Sequence, residues 1–275
     1  MNTSVPALPL RSGALIPQIG LGTWPLDNAE AADAVEAAIS LGYRHFDTAE
    51  NYRNESGVGE GLRRSGLDRA EVFITTKFNR EWHSFDGVRR AAEASMQRLG
   101  TDYVDLLLIH WPNPSQDTYV DAFRGMRALQ EEGLVKAVGV SNFKPAHLQK
   151  LADAGLVPEV NQIQLDPYHP RRDVRAANAG LGTVTEAWSP LGKGGPLLED
   201  PLLGTLAAKY GKTAAQVVLR WNIQSGIVTI PKSANPQRMA ENLNIFDFEL
   251  DSAEMTALDA LESDGSVTDS DAFGH

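Results

Sequence analysis

Short apolar runs recur along this chain with helix-patterned segments between them, and that alternation limits its possible folds more than any other feature. The runs are IGLGT at 19–23, HFD at 45–47, VFITTK at 72–77, VDLLLIH at 104–110, KAVGVS at 136–141, EVNQIQ at 159–164, GTVTEAW at 182–188 and IVTIPK at 227–232. Most are apolar on both faces, as strands of a parallel sheet covered on each side must be. Between them, segments 28–41, 86–99, 117–132, 145–154 and 235–243 carry apolar residues three and four apart. Several open on an Asp or Asn, whose side chain can take a free backbone N–H. Several also stop ahead of a glycine, at Gly42, Gly100, Gly133 and Gly155. About eight such alternations in 275 residues, with no Pro/Ser-rich linker and no break in composition, predict one domain over 1–275. The expected fold is α/β, a (β/α)8 TIM barrel, in preference to a two-domain doubly wound enzyme. A polar tail from about residue 262 is expected as an extended loop over one end of the barrel.

Composition narrows the chemistry. The absence of cysteine excludes disulfides, thiolate metal sites and cysteine nucleophiles, and fits a reducing compartment. No apolar stretch approaches the roughly 20 residues of a membrane span, and MNTSVPALPL lacks the basic start and long apolar segment of a signal peptide, so a cytoplasmic protein is expected. The formal charge of −11 is spread along helical segments, which offers no general attraction to nucleic acid or anionic membrane. An anionic ligand would therefore need a local basic pocket. Nothing in the sequence demands more than a monomer.

Three familiar motifs fail on inspection. GVGEG at 57–61 looks like the start of a dinucleotide fingerprint, but Leu62 stands where the third glycine belongs and no strand leads directly into it. Its small residues suit a closely packed helix face. Gly211-Lys212-Thr213 lacks the upstream glycine of a phosphate loop, because that place is Leu206, and reads as a helix start. Asn54-Glu55-Ser56 is a glycosylation sequon without meaning in an unsecreted protein. The histidines include no HExxH pair, so no metal site is expected.

A parallel barrel places its active site at the C-terminal ends of the strands. That rule selects Asp47, Lys77, His110, Ser141, Asn142, Gln162, Gln164, Trp188 and Lys232. These residues sit in a set of motifs: DTAENY (Asp47 to Tyr52), TTK ending at Lys77, LLLIHWP with His110, VGVSNF with Ser141 and Asn142, NQIQ with Gln162, and IPKSANPQRMAEN from Ile230 to Asn242. In this order, from Gly20 to about Leu261, they resemble the aldo-keto reductases. SPLGKG preceded by Trp188, with the short tail, is most similar to the bacterial 2,5-diketo-D-gluconate reductase branch.

The resemblance implies reversible, NADPH-dependent reduction of aldehydes and ketones, with Tyr52, Asp47, Lys77 and His110 as the catalytic set. A tyrosine with its ordinary pKa near 10 is a weak acid, and a neighbouring cation that stabilises the phenolate makes it a usable one. Lys77 would supply that charge, Asp47 would hold Lys77 charged, and His110 would hydrogen-bond at the substrate oxygen. In isolation, a structural ion pair and a packing tyrosine is the simpler reading of these residues; the ordered motifs favour catalysis. The implied cofactor lies extended, without a glycine-rich turn. Lys232 and Arg238 would hold the 2′-phosphate beside a helix start at Ser233 and Ala234, with Glu241 and Asn242 toward the adenine. Ser141, Asn142 and Gln162 would bind the nicotinamide carboxamide, Trp188 would stack on the ring, and Gly22, Thr23, Trp24, Asp47, Ser189, Leu191, Gly192 and Lys193 would complete the contacts. Trp24, Tyr52, Trp82, His110 and Trp111 would line the substrate pocket.

The chain departs from the family pattern twice. Trp188 stands where many relatives carry tyrosine, and in KFNREWHSF the residue two after Lys77 is Asn79, where relatives often have tryptophan. The polar tail suggests an open pocket for small or polar carbonyls. Two other readings compete: a barrel lyase or aldolase forming a Schiff base at Lys77 or Lys232, and a non-catalytic NADPH-binding sensor.

Overall fold

The computed structural model describes residues 5–261, 263 and 267–274. An antiparallel hairpin, β1 (Ala7–Pro9) with β2 (Leu15–Pro17), precedes eight parallel strands. These are β3 (Leu21–Gly22), β4 (His45–Asp47), β5 (Phe73–Phe78), β6 (Val104–Ile109), β7 (Val135–Ser141), β8 (Val160–Gln164), β9 (Val184–Trp188) and β10 (Val228–Ile230), paired in sequence order. Hydrogen bonds from Gly20 N to Thr229 O (2.9 Å) and from Thr229 N to Gln18 O (2.8 Å), with a parallel bridge of Gly22 to Lys232, bring the first strand against the last. The expected barrel is present, and its least strand-like run, at 19–23, is the segment that closes it.

Around the strands lie α1 (Asn28–Leu41), α2 (Glu55–Ser65), α3 (Phe85–Leu99), α4 (Tyr119–Glu131), α5 (Pro145–Asp153), α6 (Arg172–Leu181), α7 (Pro201–Tyr210), α8 (Ala214–Gln224), α9 (Pro236–Leu243) and α10 (Ser252–Asp259). None of them is long and apolar enough to cross a membrane. The expected helix at 86–99 begins one residue earlier, because Ser84 takes the N–H of Gly87 and leaves Asp86 in the first turn. The helix after IPKS is capped by Asn235, so Ser233 and Ala234 precede it instead of forming its first turn. Gly211 ends α7 in the left-handed conformation and Thr213 caps α8 in a reciprocal box with Gln216, as expected of a helix start.

The hairpin has no counterpart in the sequence reading, since its strands are short and flanked by proline. It supplies Leu8, Leu10 and Ile16 to a cluster with Phe73, Leu106, Leu108, Ala137, Val160 and Val228. The inward faces of the lower strands are thus sealed by apolar side chains, and the polar chemistry is confined above them. Outside the barrel, a larger cluster joins α1 to α4 with the backs of β4 to β7.

The GVGEG stretch serves close helix packing. A Cβ added to Gly57 would lie 2.1 Å from Asn28 O, one on Gly59 2.2 Å from Leu99 O, and one on Gly61 2.5 Å from Ala32 O. Helix α2 therefore rests backbone to backbone on α1 and on the end of α3. We expect Gly57→Ala to destabilise the fold by at least the ~1–3 kcal/mol typical of overpacking. Gly204→Ala, within α7 and with nothing within 4 Å, should instead stabilise it by up to ~1 kcal/mol. Urea unfolding of the two variants measures both signs.

Candidate active site

Register brings the chemistry together at the upper rim. Asp47 ends β4 opposite Thr75 of β5, and Lys77 follows two residues later on the same inward face. Lys77 Nζ donates to Asp47 Oδ1 at 2.7 Å, to Thr48 O at 3.0 Å and to Tyr52 Oη at 3.3 Å. The lysine is fully buried and Asp47 is 2 % exposed. Tyr52 returns over the rim on a single helical turn, Glu50–Tyr52, that ends in a left-handed Arg53. Its ring lies edge-on to His110, 5.8 Å between centroids.

Burial acts on each of these groups. It opposes the charge on Lys77, yet the Asp47 carboxylate, by its charge and its hydrogen bond, leads the interactions that outweigh it and hold the ammonium above its ordinary pKa. Burial raises the Asp47 carboxyl, against Lys77 and the amide of Gln162. For Tyr52 burial also dominates and raises the phenol, with Lys77 pulling the other way. The sequence anticipated a lowered tyrosine. The structure keeps it protonated through neutral pH, with a cation at 3.3 Å ready for the phenolate it would leave.

A relay of amides and hydroxyls continues around the rim. Gln162 Nε2 donates to Asp47 Oδ2 at 2.7 Å and to Glu186 Oε2 at 3.1 Å. Ser141 Oγ donates to Gln162 O at 2.9 Å, and Asn142 Nδ2 donates to His110 O and to Ser141 Oγ, each at 3.0 Å. The indole N–H of Trp188 donates to Asn142 Oδ1 at 2.9 Å. Trp188 therefore has a polar tie of its own, which the loss of a tyrosine hydroxyl had obscured. Asn142 and Ser189 both sit at positive φ, 64° and 50°, and both line the mouth. The ammonium of Lys193 lies 4.4 Å from the centre of the Trp188 ring.

These groups surround a cavity of about 310 Å³. Of the residues expected there, Gly22, Thr23, Trp24, Asp47, Tyr52, His110, Trp111, Ser141, Asn142, Gln162, Trp188, Ser189, Lys193 and Lys232 line it. Leu191, Gly192, Ser233, Ala234, Arg238, Glu241 and Asn242 are not in the lining; Arg238 is exposed on α9 and Asn242 is buried beneath it. Trp82 is also displaced from its expected place. Its indole N–H donates to Glu50 Oε1 at 2.9 Å and its ring packs on the outer core, so it braces the Tyr52 turn from behind.

Other contributors were not anticipated. Asn51, Ile230, Thr268 and Phe273 line the cavity as well. Residues 262, 264–266 and 275 of the expected tail lie outside the described ones, but 267–274 cross the mouth. Asp269 and Asp271 pair with Lys144 at 2.5 and 2.6 Å, Asp271 also meets His147 at 2.9 Å, and Phe273 stands edge-on to Trp111 at 4.7 Å. The tail thus lies over one end of the barrel, as expected, and adds an aromatic wall to the pocket. Asn54, dismissed as an unused sequon, is fully buried. It accepts from Thr48 Oγ at 2.7 Å and donates to Thr23 O and Leu26 O at 3.0 and 2.9 Å, tying the loops after β3 and β4 together. Three polar partners at once are invisible in a local motif.

The family model described as the aldo/keto reductase family matches residues 18–263. Methylglyoxal reductase DkgA of Escherichia coli (strain K12) is 45% identical over 271 residues, covering 96% of this chain and 97% of that protein. The solved aldo/keto reductase from Brucella melitensis superposes with a TM-score of 0.89 at 45% identity, over 93% of this chain and 98% of that one. A variant of Gox0644 crystallised in complex with NADPH gives 0.92 at 42% identity, over 97% and 98%.

Lys77→Met would leave Asp47 buried without its cation. We expect it to lower stability by about 3–5 kcal/mol, and a second substitution, Asp47→Leu, to recover part of the loss. A denaturant double-mutant cycle measures the coupling.

Proposed function

This chain belongs to the aldo/keto reductase family, and from that membership together with the rim geometry we propose that Tyr52 is the proton donor in carbonyl reduction. The protein is an NADP(H)-dependent oxidoreductase that interconverts carbonyl compounds and alcohols. When bound, the dinucleotide supplies the hydride for the carbonyl carbon.

The cavity suits that cofactor chemically. Trp188 offers an aromatic plane, and Ser141, Asn142 and Gln162 offer amide and hydroxyl groups beside it, the set that an amide-bearing aromatic ring requires. Lys232 stands at the same mouth, three residues ahead of Asn235, which caps the positive end of α9. Lys232 and Arg238 would take the 2′-phosphate, Ser233 and Ala234 its backbone contacts, Glu241 and Asn242 the adenine side, and Leu191 and Gly192 would complete the loop after β9.

The Tyr52–Lys77 contact of 3.3 Å carries the reading. Tyr52 gives its proton to the substrate oxygen, and Lys77 meets the negative charge that develops on the phenolate. Asp47 keeps Lys77 charged and aimed. His110, edge-on to Tyr52, orients the oxygen that receives the proton. The same pairing counts against a Schiff base at Lys77, because an ammonium held charged by a carboxylate at 2.7 Å has no lone pair for attack.

Trp24, Trp111 and Phe273 give the substrate end apolar walls, and its volume suits small carbonyls, of which methylglyoxal is the example named by the DkgA relative. Tyr52→Phe should retain NADPH binding, followed by fluorescence, while turnover with an aldehyde and ketone panel falls by roughly 10²–10⁴-fold. Near wild-type turnover would remove the proton-donor role, and a wild type that binds NADPH but reduces nothing would favour the sensor reading. Arg238→Ala should raise the Michaelis constant for NADPH and leave that for NADH nearly unchanged; an unaltered ratio would reject the 2′-phosphate assignment.

A further inference from the structure

Below the rim lies a carboxyl that the proton transfer does not use. Glu186 is the central inward residue of β9, fully buried, in register with Gln162 of β8 and Val228 of β10. Its Oε2 accepts from Gln162 Nε2 at 3.1 Å, and the same nitrogen donates to Asp47 Oδ2 at 2.7 Å. Its Oε1 lies 3.6 Å from His45 Nε2. One amide nitrogen therefore bridges two buried carboxyl groups, and the only cation beside them among the described residues, Lys77, is committed to Asp47.

The titratable and charged groups facing Glu186 are Asp47 and His45 from β4, Lys77 from β5 and Tyr52 from the turn above. The strands on either side of it, β8 and β10, present Gln162, Val228 and Thr229 at this level, none of them ionisable. His45 adds no positive charge. Burial holds it down to about 4, and its ring nitrogens face Pro17 O at 3.2 Å and Thr75 Oγ at 3.1 Å. Two buried carboxyls with a single ammonium cannot both ionise cheaply.

We propose, on the strength of the reductase reading, that Glu186 is a positioning residue: uncharged at neutral pH, it fixes the Gln162 amide and spares Tyr52 a second negative charge, and its ionisation weakens the proton donor. With both amide protons of Gln162 facing carboxyl oxygens, that side chain can present only its carbonyl oxygen elsewhere in the cavity it lines. The sign follows from charge alone. A carboxylate at Glu186 raises the Tyr52 phenol further and makes it a poorer acid, so reduction slows as pH rises through the titration of Glu186. Burial, with the Asp47 charge second, pushes that titration up to about 8.

The test is the alkaline limb of kcat for carbonyl reduction at saturating NADPH, compared between wild type and Glu186→Gln, which keeps the shape and removes the charge. The expected result is a midpoint displaced upward by about one pH unit or more in the variant. An unmoved midpoint overturns the proposal, even if the variant is slower throughout. A purely structural role for Glu186 would change the height of the profile and leave its midpoint in place. In case the variant folds poorly, carbon-13 NMR of wild type labelled at glutamate carboxyls provides an activity-free readout. A glutamate signal titrating near pH 8 supports the proposal, and all glutamates titrating below pH 6 overturn it. Wild type that reduces no carbonyl at any pH defeats the reductase reading and this inference with it, whereas an unmoved midpoint in an active variant defeats the inference alone.

Discussion

The buried ion pair of Asp47 and Lys77 is the interaction on which the rest of the site depends. Taking both charges out of water costs several kcal/mol each, and only a short contact with further hydrogen bonds offsets that cost. The chain provides them: Lys77 also donates to Thr48 O and Tyr52 Oη, and Asp47 also accepts from Gln162. Thr48 and Tyr52 come from the loop after β4, and Gln162 from β8 on the other side of the ion pair. The pair is therefore intact only when β4, β5 and β8 and the loop after β4 hold their places. A charge arrangement that is unfavourable in isolation thus becomes a device that ties reactivity to a completed barrel.

The division of the barrel into levels explains why such a pair can exist. The hairpin and the lower inward residues form a dry apolar base. Above it lie His45, Gln162 and Glu186, polar but held largely uncharged, and above them the charged rim. Dielectric screening rises toward the mouth, so each group takes the charge state its depth allows. The position of Glu186, one level below the ion pair, couples the two polar levels through a single amide.

Much of this was legible along the chain. Each strand run was found at its place, because strands covered on both faces must be apolar and their ends must turn polar where the site begins. That rule alone placed Asp47, Lys77, His110 and Trp188 at one end of the barrel, and the roles expected of them came from the ordered motifs. The brace that Trp82 forms and the contacts of the tail could not be read for a shared reason: both lie on loops whose direction is set by distant partners, Glu50 for the tryptophan and Lys144 and His147 for the tail. Asn54 was set aside as a sequon and Glu186 went unnoticed because each acts through contacts with residues distant in the chain, which no local pattern encodes.

The sequence by itself determined the barrel and the residues at its strand ends, since alternation of apolar runs with capped helices and the one-residue pleat are local properties of the chain. Only the tertiary structure decided which of those residues carry charge and which stay neutral. That depends on how many carboxyl groups share one ammonium inside a closed, dry barrel, and such sharing arises only when strands far apart in the chain are brought side by side.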